Sequence, residues 1–160
     1  MPSTLHFICG RLASGKTTLA RQIAADQHAI FFCEDVWLSR LSDGIHSIED
    51  YVRWSRRCRS VMGPVIVDIL HSGVSVVLDF AGNTVTERAW VKSLFETAHT
   101  PHVLHYLPTS EAVCLERLRR RNLEKPEGLF FAETSDEDFY AISKYFHAPE
   151  EGEAFNIVQH

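Results

Sequence analysis

Eight residues near the start of the chain, Gly10 to Thr17, read G-R-L-A-S-G-K-T and fit the spacing G-x-x-x-x-G-K-[ST]. A loop of this kind turns backbone amides inward around a polyphosphate. Its lysine reaches the β and γ oxygens, and the hydroxyl that follows ligates Mg2+. Those parts fall on Gly10, Gly15, Lys16 and Thr17, with Ala13, Ser14 and Thr18 lining the same anion. The ordinary alternative is a turn that happens to hold two glycines and a surface lysine. Context speaks against it: the apolar run L-H-F-I-C precedes the loop and helical spacing follows, as an anion site at a helix N-terminus requires.

Carboxylates at two further places complete the chemistry. Asp79 closes the apolar run V-V-L-D, where it would hold Mg2+ directly or through water rather than simply cap the next turn. Glu34 and Asp35 follow another apolar run, A-I-F-F-C. A carboxylate that faces the γ-phosphate accepts the proton of a hydroxyl as its oxygen attacks. Asp35 is the first choice for that base and Glu34 the second; a solvated acidic pair in a loop is the plain alternative. Phe80 follows Asp79, where many ATP-hydrolysing motors place a Glu to polarise water. The chain has no N-K-x-D stretch to read guanine, which favours ATP over GTP, and no L-S-G-G-Q stretch.

Elements must bring these side chains together. Short apolar runs predict strands at Leu5–Cys9, Ala29–Cys33, Val74–Asp79, His102–Leu107 and Phe155–Val158. Between them, Leu19, Ala20, Ile23 and Ala24 share a helical face within Thr17–Gln27. Ser47 and Asp50 cap a long helix that ends before Gly73, with a kink or break expected at Pro64. Thr84 and Glu87 form a capping box for a helix carrying Trp90 and Leu94. Thr109 or Ser110 starts a helix that runs to Asn122. Residues 123–134, with Pro126 and Gly128, break the pattern and predict a mobile loop. Ser135 and Asp138 then cap a last helix whose Phe139, Ile142 and Phe146 share a face. Apolar strands separated by helices imply a parallel sheet covered on both faces, hence an α/β fold. In such sheets ligands bind beyond the carboxyl ends of the strands, so the loop, the Glu34–Asp35 pair and Asp79 converge on one crevice.

Composition agrees. The 160 residues are 45% hydrophobic and 23% charged, which suits one buried core and most simply one domain over 1–160. A net charge of −5 gives no overall basic field for gripping nucleic acid. Cys9, Cys33, Cys58 and Cys114 lie far apart without a C-x-x-C pair, so buried, reduced thiols in a cytoplasmic protein are expected. The first segment lacks a signal-peptide pattern, and no apolar run approaches the roughly eighteen residues of a membrane span.

Several stretches together resemble a family: the small P-loop kinases, in particular the group labelled "AAA family ATPase" or "predicted kinase". Shikimate and gluconate kinases, chloramphenicol phosphotransferase and zeta toxin are more distant relatives. The stretches are G-R-L-A-S-G-K-T-T-L-A, C-E-D-V-W-L, G-V-S-V-V-L-D-F-A-G-N-T, L-H-Y-L and E-R-L-R-R-R-N. The resemblance implies a three-layer α/β/α fold and a five-stranded parallel sheet of order 2-3-1-4-5 with a short lid over about 117–134. It also implies ATP with Mg2+ and γ-phosphoryl transfer to a small-molecule acceptor; a monomer or homodimer is expected. In such kinases the acid after the second strand serves the acceptor hydroxyl, which maps onto Asp35. Lid arginines map onto Arg117 and Arg121, four apart and so on one helical face, with Arg119 and Arg120 pointing elsewhere. Gly82 and Asn83 look like an acceptor-side wall, and Arg88 matches a common arginine without a role attached.

Arg53, Arg56, Arg57 and Arg59 form a basic cluster on the long helix. A solvated face is the plainer reading, an anion clamp by Arg53 and Arg57 the sharper one. The run R-L-R-R-R-N suits charge stabilisation of a phosphoryl group better than nucleic acid binding. His6, His102 and His105 lack a metal spacing and are read as structural or surface groups; Trp37 and Trp54 line a pocket or pack in the core. The expectation is an ATP-dependent phosphotransferase acting on a small hydroxyl compound. Its rival is a regulatory ATPase in which nucleotide selects a conformation for a protein partner.

Overall fold

The structure, a computed structural model, describes residues 2–160. Strands β1 (Leu5–Gly10), β2 (Ile30–Cys33), β3 (Val76–Asp79), β4 (His102–Leu107) and β5 (Ile157–Gln159) pair in the order β2-β3-β1-β4-β5. Every pairing is parallel, as the resemblance implied. Six helices connect or flank them: α1 (Lys16–Asp26), α2 (Glu34–Leu41), α3 (Ile48–His71), α4 (Val85–Ala98), α5 (Glu111–Glu124) and α6 (Asp136–Ser143). A short 3-10 turn at Glu151–Glu153 precedes β5. Among the described residues no helix is long and apolar enough to cross a membrane.

Successive strand residues face opposite ways, and that alternation divides the core. Leu5, Phe7 and Cys9 join Phe32, Leu78 and Leu104 in one cluster covered by Cys58, Met62 and Ile66 of α3 and Val91 and Leu94 of α4. Ile8 and Val77 point the other way, against Leu19, Ala20, Ile23 and Ala24 of α1. A smaller cluster joins Cys114, Leu115 and Leu118 of α5 to Phe139 of α6, and both to Leu12 and Ala13 of the loop after β1. All four cysteines are buried free thiols. Burial, opposed by Arg88 and Lys16, pushes Cys9 up to about 11; burial and Asp79 push Cys33 up to about 12.

The structure departs from the sequence reading at several points and decides between its alternatives at others. Glu34 and Asp35 do not lie in a loop: they open α2, with Arg40 in its last turn, a charge order that favours the helix dipole. Cys33 offers no side-chain cap, which is why the start was not legible. α3 runs unbroken through Pro64. Proline costs a helix interior about 3 kcal/mol, but Pro64 sits on the exposed face, where water can reach the carbonyl it leaves unpaired. Its neighbour Gly63 is buried, with room for only an ordinary contact to Leu94. Thr84 accepts from the Glu87 amide, but the Glu87 carboxylate turns to the Asn83 amide instead of closing the box. α6 ends at Ser143, so Phe146 leaves the face of Phe139 and packs on the larger cluster beneath the Arg11 guanidinium. Ser110, not Thr109, caps α5, which continues to Glu124.

Three imidazoles form a chain across the sheet. His6 Nδ1 lies 3.1 Å from His105 Nε2, and His105 Nδ1 lies 2.9 Å from His160 Nε2. Burial lowers His6; burial, with His6 and His160, pushes His105 down to about 4. Among the described residues no three His, Cys, Asp or Glu gather to hold a metal. An unfolded imidazole titrates near 6.5, so in the window from there to about 4 the unfolded chain binds more protons. Stability therefore falls as pH drops through that window, by roughly 1–3 kcal/mol from these rings. Urea midpoints followed from neutral pH down to about pH 4 are expected to fall more steeply for the parent than for His105→Gln. Parallel curves would remove the histidine chain as their cause.

Candidate active site

The loop between β1 and α1 is shaped by close approach. A Cβ on Gly10 would lie 2.5 Å from Ser14 Oγ and 3.1 Å from the Leu107 carbonyl, so a larger residue would push the loop off β4. Ala13 and Gly15 adopt positive φ, 61° and 101°, and such left-handed turns aim successive amides into one concavity. Gly15 caps α1 without a side-chain acceptor, leaving the first amides of the helix, at Lys16, Thr17 and Thr18, directed at an anion site. Lys16 Nζ folds over the loop and donates to the carbonyls of Gly10 (3.1 Å) and Arg11 (2.9 Å). The Ser14 carbonyl accepts from Thr109 Oγ1 (3.2 Å) and Arg117 Nη1 (3.0 Å), which ties α5 to the loop. Thr18 is exposed on α1.

Thr17 and Asp79, far apart in the chain, meet here. Thr17 Oγ1 donates to Asp79 Oδ2 at 2.6 Å, and Cys33 Sγ donates to the same oxygen at 3.5 Å. The sheet explains this, since Cys33 is the register partner of Asp79. A hydroxyl and one carboxylate are hard oxygen donors, the set that suits Mg2+ completed by phosphate and water. These residues fit that ion.

The acidic pair divides. Glu34 is 2% exposed and accepts from Tyr51 Oη (2.8 Å), Ser55 Oγ (3.1 Å) and Arg59 Nε (2.9 Å). It is fully engaged in the protein, which corrects its standing as second choice for the base. Asp35, the next residue, stays exposed. Surrounding protein, then Asp79 and Glu34, push its carboxyl up to about 6, against the pull of Lys16 and Arg121; its exposure lets water take back part of the first effect. Asp35 thus heads α2 beside the end of β3 that carries Asp79, and the charges acting on it are those of Asp79, Glu34, Lys16 and Arg121.

Of the two arginines expected from α5, Arg117 is exposed but reaches the loop through Nη1, and Arg121 is half-buried. Arg121 Nε is buried without a partner, and burial lowers its pKa while Asp35 opposes. Arg119 instead pairs with Asp136 at the surface, and Arg120 is exposed. The segment 123–134 is pinned at its base by two hydrogen bonds between Asn122 and Thr134, and at its tip by Arg21 to the Gly128 carbonyl (3.0 Å).

Beyond Asp79, Gly82 packs so tightly that a Cβ would come within 2.4 Å of Phe7 Cζ. Arg88 is wholly buried: its Nε and Nη2 grip Glu153 at 2.7 and 2.8 Å, and its Nη1 reaches the carbonyls of Gly82 and His147. It clamps the C-terminal segment to the loop after β3 rather than facing the crevice. Arg53 is held by Asp50 and Arg57 lies over Trp54; with Arg56, Ile48, Glu49 and Val52 they border a shallow groove on one helix, the solvated-face reading. Trp37 stacks on Phe32. The engagement of Arg59 was missed, although Tyr51, Ser55 and Arg59 stand at spacing four on the inward face of α3.

Fold and loop define the class as an α/β P-loop NTPase fold. The sequence matches the profile of the AAA domain family over residues 5–139, and the chain belongs to that family. A candidate kinase from Chloroflexus aurantiacus superposes with a TM-score of 0.75 at 19% identity, over 99% of this chain and 85% of that one. Kti12 from Chaetomium thermophilum, in complex with ADP-AlF3, gives 0.69 at 17% identity over 98% and 88%. Mycobacterium tuberculosis APS kinase CysC, in complex with AMPPNP and APS, gives 0.67 at 16% over 99% and 88%. At such identities the likeness is one of fold. No curated protein matches the sequence significantly.

The Arg88 clamp makes a stability prediction. Arg88→Met would leave the Glu153 carboxylate buried without its partner, at an expected cost of about 3–5 kcal/mol. Urea denaturation measures it, and a loss inside about 0.5 kcal/mol, the range of an ordinary surface change, would contradict the clamp.

Proposed function

We propose that the chain is an ATP-dependent phosphotransferase that moves the γ-phosphoryl group of ATP to a hydroxyl of a small molecule. One domain over residues 1–160 carries the reaction, with a lid from about 117 to 134. The amides of Ala13, Ser14, Gly15, Lys16, Thr17 and Thr18 bind the phosphates, and Lys16 exchanges its loop carbonyls for phosphate oxygens. Thr17 and Asp79 hold Mg2+, whose charge, when bound, offsets that of the β and γ oxygens. Asp35 orients the acceptor hydroxyl or takes its proton. Arg117 and Arg121 face the transferring group from α5 and stabilise its charge. Lid residues 123–134 exclude water around them, which suppresses hydrolysis.

What supports this reading is Asp35: a carboxylate at the head of α2, beside the end of β3 that carries Asp79, and close enough to Lys16, Asp79 and Arg121 for their charges to act on it. A carboxyl raised toward neutral pH suits a group that must take up a proton and give it back. Phe80 beside Asp79 supplies no carboxylate for activating water, which favours transfer over hydrolysis.

The decisive measurement incubates γ-labelled ATP with a panel of hydroxyl compounds and counts label moved to each. Asp35→Asn is expected to keep ATP affinity within about twofold and to cut transfer by roughly 10²–10⁴. An Asn variant that transfers at the parent rate removes Asp35 from this role. Label passing to water alone, whatever the acceptor, together with nucleotide-dependent binding of a protein partner, would replace the reading with that of a regulatory ATPase.

A further inference from the structure

The inward face of α3 changes character along its length. Toward its C-terminal end it presents Cys58, Met62 and Ile66 to the core, while nearer the start Tyr51, Ser55 and Arg59 all end on Glu34. A carboxylate as buried as Glu34 needs each of those partners, since water cannot replace them.

Arg59 also reaches further. Its Nη2 donates to the Ala81 carbonyl at 2.9 Å, and its guanidinium lies over the rings of Phe80 (5.5 Å) and Trp90 (4.9 Å). One planar group thus holds two segments at once: the first residue of α2, through Glu34, and the loop leaving β3, through a backbone carbonyl. Its fork is rigid and stays charged, so it fixes the separation of what it grips in a way that a lysine does not. Asp35 follows Glu34 directly, and Ala81 lies two residues beyond Asp79.

We propose that Arg59 is a positioning residue: it couples the first turn of α2 to the loop after β3, and so sets the relation between the carboxylates of Asp35 and Asp79. The consequence for turnover rests on the phosphotransfer reading above; the coupling itself does not. A misplacement on the order of 1 Å can cost roughly a hundredfold in rate, so a loosened coupling is expected to lower kcat while leaving nucleotide binding, made by another loop, in place.

Arg59→Met alone would strand the Glu34 carboxylate and risk unfolding. The informative variant is Glu34→Gln with Arg59→Met, which removes both charges and keeps the volume. Amide hydrogen exchange on the whole chain is expected to show residues 34–41 and 80–83 losing protection together, by about tenfold or more, with β1 and β4 unchanged. Single-turnover cleavage of ATP in the presence of the hydroxyl panel should fall at least about tenfold while AMPPNP affinity stays within about twofold. Should the double variant not fold, Arg59→Lys retains the charge, and both segments must lose protection together there too. Unchanged exchange in either segment, or cleavage at the parent rate by the double variant, overturns the proposal. A parent protein that cleaves no ATP with any compound of the hydroxyl panel sinks the phosphotransfer reading instead, and the exchange result still decides the coupling.

Discussion

Parallel pairing of β2, β3 and β1 is the constraint from which the site follows. Strands that run the same way release their following segments at one edge of the sheet. The phosphate loop, the head of α2 and the loop beyond Asp79 therefore emerge side by side, although the chain separates them widely. Thr17 and Asp79 lie 62 residues apart and still meet at 2.6 Å, a contact that neither segment dictates alone. Register completes the arrangement: Cys33 sits opposite Asp79, so Glu34 and Asp35 begin beside the end of β3 that carries Asp79. A slip of one position would turn Asp79 to the other face of the sheet.

The parts of this molecule that obey short-range rules were legible in the sequence. Apolar runs located the strands, spacing located α1, and serines or threonines at helix starts located Ser47, Thr84 and Ser135. The phosphate loop was legible because its chemistry is built from one continuous stretch. What escaped depends on distant neighbours. α2 lacks a capping side chain, so nothing local announced that Glu34 and Asp35 open a helix. The separate fates of those two acids rest on Tyr51, Ser55 and Arg59 of another helix. Pro64 survives inside α3 because tertiary packing outweighs a local preference. Arg88 had no role legible in the sequence, because its partner Glu153 lies 65 residues later.

Two kinds of ion pair coexist in this acidic chain, and their contrast is instructive. Arg53–Asp50 and Arg119–Asp136 lie at the surface, where water and salt leave an ion pair little net value. Arg59–Glu34 and Arg88–Glu153 are largely withdrawn from water, and each also holds a backbone carbonyl of the segment that follows Asp79. Burying a charge pair gains little stability over apolar side chains of the same volume. It does impose direction and distance, which apolar contacts leave loose. The Ala81–Gly82 backbone is gripped from both sides in this way, while Phe7 forbids any side chain at Gly82.

The buried thiols have an experimental consequence. Cys9 lies in β1, Cys33 at the end of β2, Cys58 on α3 and Cys114 on α5, so each belongs to a different part of the fold. Held as protonated thiols out of reach of solvent, they stay inert toward alkylating reagents in the closed molecule. Labelling by such a reagent, resolved by peptide, would then time the separation of each part from the rest, and the protein carries four internal clocks for its own breathing.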